Sequence, residues 1–192
     1  MTQLQNVLNA IDDINKTDPN TTVVDGVNHP KELLYGQQMS TCLDEYWPDA
    51  NDYLQIAVRA QHVKRWHLKR ADFPAGKQGY LTWRKELAVF HAATAKEVML
   101  EHGYSEEEGD ITAAIIRKEK LKSNSDSQTL ENVACLVFLQ FYFNDFAAKH
   151  NEEKVIRILQ LTWRKMSVRG QEIALTLSLP AHLLQLVVKA LA

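Results

Sequence analysis

The sequence predicts an all-α protein: a single compact domain of about seven to nine helices. Apolar residues recur at steps of three and four along nearly the whole chain, and no strand pattern is evident. One stretch, 130–146, is apolar on nearly every face, so we expect it to be the central helix around which the others pack. With 192 residues and 45% hydrophobic content, the chain suits one core, and the predicted domain spans 1–192.

The helices of the first half follow from apolar stripes and stop signals. The first carries Leu4, Val7, Ile11 and Ile14 on one face and ends before the turn signal Asp18-Pro19-Asn20. Three more are expected: from Pro30 to the Trp47-Pro48 stop, from about Asp49 to Trp66, and from the Pro74–Gly79 loop to Gly103.

In the second half, Ser105 and Glu108 have the spacing of a capping box and predict a short helix through Ile116. A polar connector then precedes the central helix. The remaining predicted helices run from about Glu152 to Met166 and from Pro180 to Ala192, and the stretch 167–179 between them stays unassigned.

Charge is distributed unevenly. The segment from Arg59 to Lys85 holds eight Lys/Arg against one acidic residue, Asp72, so it carries +7 in a chain whose net charge is −2. Such a segment favours an anionic partner, either a phosphorylated small molecule or RNA, although a merely solvated face is the alternative. The predicted phosphate-binding residues are Arg59, Arg65, Lys69, Arg70 and Arg84. Trp66 is a candidate to line the pocket and stack on a base, although a core anchor is the favoured alternative for Trp66 and for Trp83.

Polar residues also interrupt the apolar helix faces: Gln61, His62, His91, Glu131 and Asn132. Imidazole and carboxylate groups suit a divalent transition metal, so His62, His91 and Glu131 are candidate ligands of one metal ion. Gln61 and Asn132 are expected to line the same polar pocket. The alternative is a buried polar network in which each histidine is satisfied by a carbonyl or a carboxylate.

Several other classes of function lack sequence support. No nucleophile elbow, P-loop or dinucleotide-binding glycine motif occurs. The triplet Lys165-Met166-Ser167 is similar to a loop of class I aminoacyl-tRNA synthetases, but here it ends a helical stripe. Cys42 and Cys135 are predicted to be buried thiols in a reducing compartment. No membrane-spanning run or leader pattern is seen, so a cytoplasmic location without a membrane partner is expected.

Blocks along nearly the whole chain resemble domain of unknown function family 4202, a bacterial and fungal family. They include PKELLYGQQMS (30–40), RAQHVKRW (59–66), GYLTWRKELAVFHA (79–92) and TLENVACLVFL (129–139). Some members of that family are labelled glutamyl-tRNA synthetase, a chemistry for which this sequence has no motif. The family name itself implies no activity.

The chain also distantly resembles the histidine-aspartate (HD) superfamily of metal-dependent phosphohydrolases, which are all-α. Gln61-His62 stands where His-Asp is expected, Asn132 where the last Asp is expected, and Gln38 near the first His. The expected function is binding of a phosphorylated small molecule or nucleotide, with hydrolysis at a degenerate single-metal site. The metal ion would lower the pKa of a bound water, Glu131 or His91 would orient that water, and Arg59, Arg65, Arg70 and Arg84 would neutralise the phosphate. Because residues of other types stand at these metal-ligand positions, the alternative is a module without enzymatic activity that binds a nucleotide, RNA or a partner protein.

Overall fold

The computed structural model describes all 192 residues and contains ten α-helices and one β-hairpin. The strands β1 (Thr21–Val24) and β2 (Val27–Pro30) pair in antiparallel fashion. The all-α prediction is confirmed, with ten helices where seven to nine were predicted. The helices are α1 (Gln3–Asn15), α2 (Lys31–Tyr46), α3 (Asp52–Ala60), α4 (Gly76–Glu101), α5 (Glu106–Ile116), α6 (Ser125–Val137), α7 (Phe143–Lys149), α8 (Glu152–Lys165), α9 (Val168–Thr176) and α10 (Ala181–Leu191).

The core is organised around α6. This helix packs against α2, α3, α5, α8 and α9, and Leu130, Val133, Leu136 and Val137 are fully buried. The predicted single helix over 130–146 is instead α6 and α7 joined by a π-helical turn. Beyond Leu139 only Phe143 in this run is buried, so the stretch is central only over its first half.

The β-hairpin was not predicted, and the expectation of no strands is wrong at this point. Asp25 and Gly26 form its two-residue turn with φ values of 50° and 79°. A two-residue hairpin turn with positive φ at both positions favours Asn-Gly or Asp-Gly, and here that dipeptide is flanked by valines. Val23 and Val27 are exposed in these short strands. The strands therefore lack the alternation of buried apolar and exposed polar residues that identifies a strand in a sequence.

The third helix is shorter than predicted. It ends at Ala60 rather than near Trp66, because the chain turns through Lys64, which adopts a left-handed φ of 52°. The Lys64 amide donates to Oδ1 of Asn15 at 2.9 Å, and this buried asparagine holds the turn against α1. Gln61 and His62 therefore lie on the turn that follows α3, not on a helix face. In space, this turn lies between α2 and α4.

Helices α2 and α3 approach closely at Gly36. A Cβ placed on this residue would lie 3.0 Å from the carbonyl oxygen of Arg59, tighter than ordinary packing. The glycine thereby allows the first turns of α2 to lie beside the turn that carries His62.

The triplet Lys165-Met166-Ser167 ends a helix, as predicted, and it also joins this helix to α9, which lies in the stretch left unassigned from the sequence. Helix α8 ends at Lys165, and Ser167 is the N-cap of α9, with its Oγ accepting from the Gly170 amide. No helix of the protein combines the length and the apolar character needed to cross a membrane.

Candidate functional site

Two adjoining cavities form the main polar cleft of the molecule. One, of about 440 Å³, lies between α4 and the end of α5, and we call it the His91 cavity. The other, of about 460 Å³, is lined by rings from α2, α4, the π turn and α7, and we call it the aromatic cavity. The two cavities have lining residues in common, which we call the shared wall: Gln61, His62, Arg65, Arg84 and Lys118.

The shared wall is cationic, but its cations differ in how far they are neutralised. Arg65 lies 3.9 Å from Glu32, and Lys118 pairs with Glu131. Arg84 has no carboxylate partner, and its only side-chain hydrogen bond is a 3.4 Å contact with the Tyr80 hydroxyl. Because its charge is not compensated locally, Arg84 is the cation of the wall best placed to bind an incoming anion.

His62 uses both of its ring nitrogens within the protein. Its Nε2 accepts from Nη1 of Arg65 at 2.8 Å, and since arginine only donates, the proton of the neutral ring sits on Nδ1. Nδ1–H then donates to Oε2 of Glu32 at 3.0 Å. Tyr35 stacks on the ring with centroids 4.0 Å apart. Burial and the charge of Arg65 hold the pKa of His62 well below its usual range, so the ring is neutral.

Glu32 is placed by the start of α2. The buried Asp18 accepts from the Glu32 amide through Oδ2 at 3.0 Å, and Asn15 donates to its carbonyl at 3.4 Å. Burial raises the pKa of the Glu32 carboxyl, and the charge of Arg65 offsets this only in part. Glu32 was not among the predicted site residues, because an acidic residue in a first helical turn is ordinarily explained by the helix dipole.

His91 has one free nitrogen in the cavity named after it. Its Nδ1–H donates to the carbonyl of Val63 at 2.7 Å, and its Nε2 is buried without a hydrogen-bond partner. Burial and the neighbouring His62 lower the pKa of His91 to about 3, so the ring is neutral and Nε2 presents a lone pair. The side chain is 3% exposed, which makes an unsatisfied acceptor costly unless a ligand or water donates to it.

Glu131 is an ion-pair residue. It contacts Lys118 and lies 3.5 Å from Lys165. Burial by itself raises the pKa of this carboxyl, but the two lysines outweigh burial and hold the pKa below its usual range. Lys118 adopts a left-handed φ of 56°, a conformation that costs a non-glycine residue energy and is often kept where a side chain must point into a site.

The residues predicted to hold a metal do not fit one. No group of three or more His, Cys, Asp or Glu side chains is arranged to hold a metal ion. Both nitrogens of His62 are engaged, and Glu131 is neutralised by two lysines. The His62 and His91 rings do neighbour each other, with centroids 6.0 Å apart, but they join a hydrogen-bonded network of the kind given above as the alternative.

Of the predicted phosphate-binding residues, two line the cleft and three do not. Arg65 and Arg84 belong to the shared wall. Arg59 is instead held by Asp12 at 2.8 Å and by Ser40, which fixes α3 to α1 and α2. Arg70 donates to the Phe73 carbonyl and stabilises its own loop.

Lys69 is exposed, and neither Lys69 nor Trp66 lines either cavity. The aromatic partner of the basic segment is Trp83, whose ring centre lies 5.0 Å from the Arg65 guanidinium carbon. Sequence position within a basic segment therefore does not determine which cations share a surface.

Asn132 lies apart from the cleft, at the junction of α6 and α9. Its Oδ1 accepts from the Ser167 amide at 2.9 Å, and its Nδ2 donates to Ser167 Oγ at 2.8 Å. Gln128 also donates to Oδ1. The amide thus fixes the cap of α9, and its two opposite hydrogen-bonding ends explain an asparagine here. Gln38, the fourth position of the HD-like pattern, accepts from the Tyr142 hydroxyl at 2.7 Å.

The aromatic cavity combines rings with cations at its edge. Its rings come from Tyr35, Tyr80, Phe138, Tyr142 and Phe146, and Phe138 packs edge-on against Phe146. Further cations of the cleft come from outside the basic segment: Lys31 and Lys165 line the aromatic cavity, and Arg117 lines the His91 cavity. Arg117 and Lys118 lie in the lysine-rich stretch after α5. From the sequence, this stretch was predicted only to be a polar connector.

One comparison with known proteins gives a match. The family model described as "Domain of unknown function (DUF4202)" matches residues 5–187. No curated protein and no solved structure matches the chain significantly. Because the family model covers nearly the whole sequence, this chain belongs to the DUF4202 family of domains of unknown function.

Proposed function

We propose that this protein binds a phosphorylated small molecule of the nucleotide class in the cleft formed by the two cavities. The observation that carries the proposal is Arg84, a cation without a carboxylate partner on the wall that both cavities share. Phosphate oxygens suit a guanidinium, and Arg65 and Lys118 lie on the same wall to add charge-assisted hydrogen bonds.

The balance of charge supports an anion rather than a cation. The two cavities are lined by seven cationic side chains, namely Lys31, Arg65, Arg84, Lys85, Arg117, Lys118 and Lys165, against Glu32, Glu119 and Glu131. A concave site focuses such a field and raises the local concentration of anions. Two adjoining cavities of about 440 and 460 Å³ suit a compact phosphate ligand better than an RNA strand, whose backbone would follow an extended basic groove.

No hydrolytic step is assigned, because His62 is bound to Glu32 and Arg65, and Glu131 is neutralised by Lys118 and Lys165, so these side chains are not free to bind a metal. The proposed function is therefore ligand binding without a catalytic step. Glu32 holds His62, and His62 in turn holds Arg65, so that the Arg65 guanidinium is oriented towards the cavities. The His62 ring is neutral and therefore adds no charge of its own to the wall.

Titration calorimetry with pyrophosphate and ADP tests the proposal. Arg84→Ala should weaken both about tenfold or more, since a hydrogen bond to a charged group contributes about 1.5 to 3 kcal/mol. The matched control is Lys69→Ala, which removes an exposed cation of the same segment outside the cleft and should change either affinity less than about twofold.

Salt separates the two kinds of anionic ligand. Single-stranded RNA binding should collapse steeply between low and high salt because it depends on counterion release, whereas ADP in the cleft should lose less. Equal losses in the Arg84 and Lys69 variants, or binding of RNA alone, would overturn the proposal.

A further inference from the structure

The two cavities adjoin along one cationic wall, and this arrangement restricts the ligand further. Arg65, Arg84 and Lys118 line both cavities, so a phosphate held by them lies next to open space in each cavity. Each space is large enough for a ring system of its own, at about 440 and 460 Å³. A ligand that fills the cleft must therefore carry a group on both sides of its phosphates.

The aromatic cavity suits a flat, apolar group. Phe138, Tyr142 and Phe146 come from the π turn and α7, and Tyr35 faces them from α2, with its ring 5.9 Å from that of Tyr142. Rings of this kind stack on a nucleobase without requiring one particular base. Lys31 and Lys165 add two cations to this cavity beside those of the shared wall.

The His91 cavity suits a hydrogen-bond donor. His91 is one of its lining residues, and its Nε2 is a buried acceptor without a partner, because Nδ1–H is bound to the Val63 carbonyl. The side chain is 3% exposed, so only a donor that enters the cavity beside this ring can satisfy the nitrogen. A sugar hydroxyl is a donor that satisfies this nitrogen and tolerates the charged rim.

We infer that the ligand is a nucleoside diphosphate joined to a hydroxylated group, with its base in the aromatic cavity, its diphosphate on Arg65, Arg84 and Lys118, and a hydroxyl donating to Nε2 of His91. The inference rests on the proposed function and narrows it to nucleotide sugars and related diphosphate-bridged conjugates.

Matched ligand pairs test this assignment, with affinities measured by calorimetry: ADP and ADP-ribose, UDP and UDP-glucose, GDP and GDP-mannose. In at least one pair the conjugate should bind about tenfold more tightly than the free diphosphate, because it satisfies an otherwise orphaned acceptor. His91→Asn keeps a donor near the position of Nδ1 for the Val63 carbonyl but removes the acceptor in the cavity, so it should bring the ratio close to one.

Two further variants keep the test decisive if His91→Asn folds poorly. His91→Gln places a polar atom near the position of Nε2 and should retain part of the preference for the conjugate. Phe146→Leu should weaken the diphosphate and the conjugate of a pair by similar factors, since both place a base in the aromatic cavity. Thermal melts establish that each variant is folded.

The outcomes separate this inference from the function on which it rests. If pyrophosphate binds in an Arg84-dependent manner but no conjugate exceeds its diphosphate by about threefold, the conjugate assignment is overturned and phosphate binding stands. If neither pyrophosphate nor any nucleoside diphosphate binds, the conjugate assignment and the proposed function both fail. A preference for the conjugate that survives His91→Asn would also overturn the assignment of the hydroxyl contact.

Discussion

Arg65 donates a 2.8 Å hydrogen bond from Nη1 to Nε2 of His62, and this contact determines what the histidine can do. A ring nitrogen that accepts from a guanidinium is closed to a metal ion, and the proton is fixed on the other nitrogen, which donates to Glu32 at 3.0 Å. A histidine that resembles a metal ligand in sequence therefore becomes a support for the cation beside it.

The tautomer of His62 is directly measurable. Nitrogen NMR at neutral pH should show a neutral ring protonated on Nδ1, because Nε2 is occupied as an acceptor. Arg65→Gln leaves a side chain that can also accept, so it should shift the ring nitrogen signals of His62. A His62 that is protonated on both nitrogens at pH 7 would contradict the hydrogen-bond assignment.

Stability should fall as the solution becomes acidic. The pKa of His91 is lowered to about 3 from an ordinary value of 6.5, so below pH 6.5 the unfolded chain binds a proton that the folded protein excludes. The stabilising effect is complete above pH 6.5 and is lost as the pH falls towards 3, by up to about 1.4 kcal/mol per pH unit for this residue. His62, whose pKa is lowered in the same direction, adds to the effect, whereas Glu32, with a raised pKa, opposes it at the acidic end.

Denaturant unfolding from pH 7.5 to 4.5 measures this slope. His91→Asn removes one titrating group, so its free energy of unfolding should depend less steeply on pH than that of the parent protein. Identical slopes in both proteins would show that His91 titrates normally in the folded state.

Backbone strain at Lys118 predicts a conflict between stability and binding. Its φ of 56° is easy for glycine, so Lys118→Gly should be more stable than Lys118→Ala by about 1 kcal/mol. Both variants lose a cation of the shared wall and should bind pyrophosphate more weakly.

The control for strain alone is Lys120, which has a φ of 51° and lies outside the cleft. Lys120→Gly should likewise be more stable than Lys120→Ala, with pyrophosphate affinity unchanged. A loss of affinity at Lys120 equal to that at Lys118 would mean that the stretch after α5 acts only through its overall charge.

The Asn132→Asp variant distinguishes a cap from a degenerate metal ligand. At 2% exposure the new carboxylate is buried and loses the donor to Ser167 Oγ, so the free energy of unfolding should drop by about 2 kcal/mol at pH 8. The penalty should shrink at pH 4, because burial raises the pKa of the new carboxyl and it then stays protonated. Metal titration should show no gain in affinity; a gain at unchanged stability would favour a ligand role.

The sequence alone was sufficient for what depends on local pattern. The apolar periodicity of α1, the capping box at Ser105 and Glu108, and Gly103 after α4 each specify backbone geometry within a few residues, and each is present in the structure. The Asp25-Gly26 turn was equally local and could have been recognised, since that dipeptide between valines is a hairpin signal. The family was also within reach of sequence, because its blocks extend along the whole chain.

The tertiary structure alone decided which side chains meet. Arg59 and Arg84 look equivalent in a basic segment, yet Asp12 neutralises the first from 47 positions away while the second stays free. Glu32, Lys118 and Lys165 join the site from α2, the stretch after α5 and the end of α8, whereas Asn132 lies apart from it and caps α9. Charges and hydrogen bonds act through a few ångströms of space rather than along the chain, so sequence determined the helices of this protein, and only their packing decided its cleft.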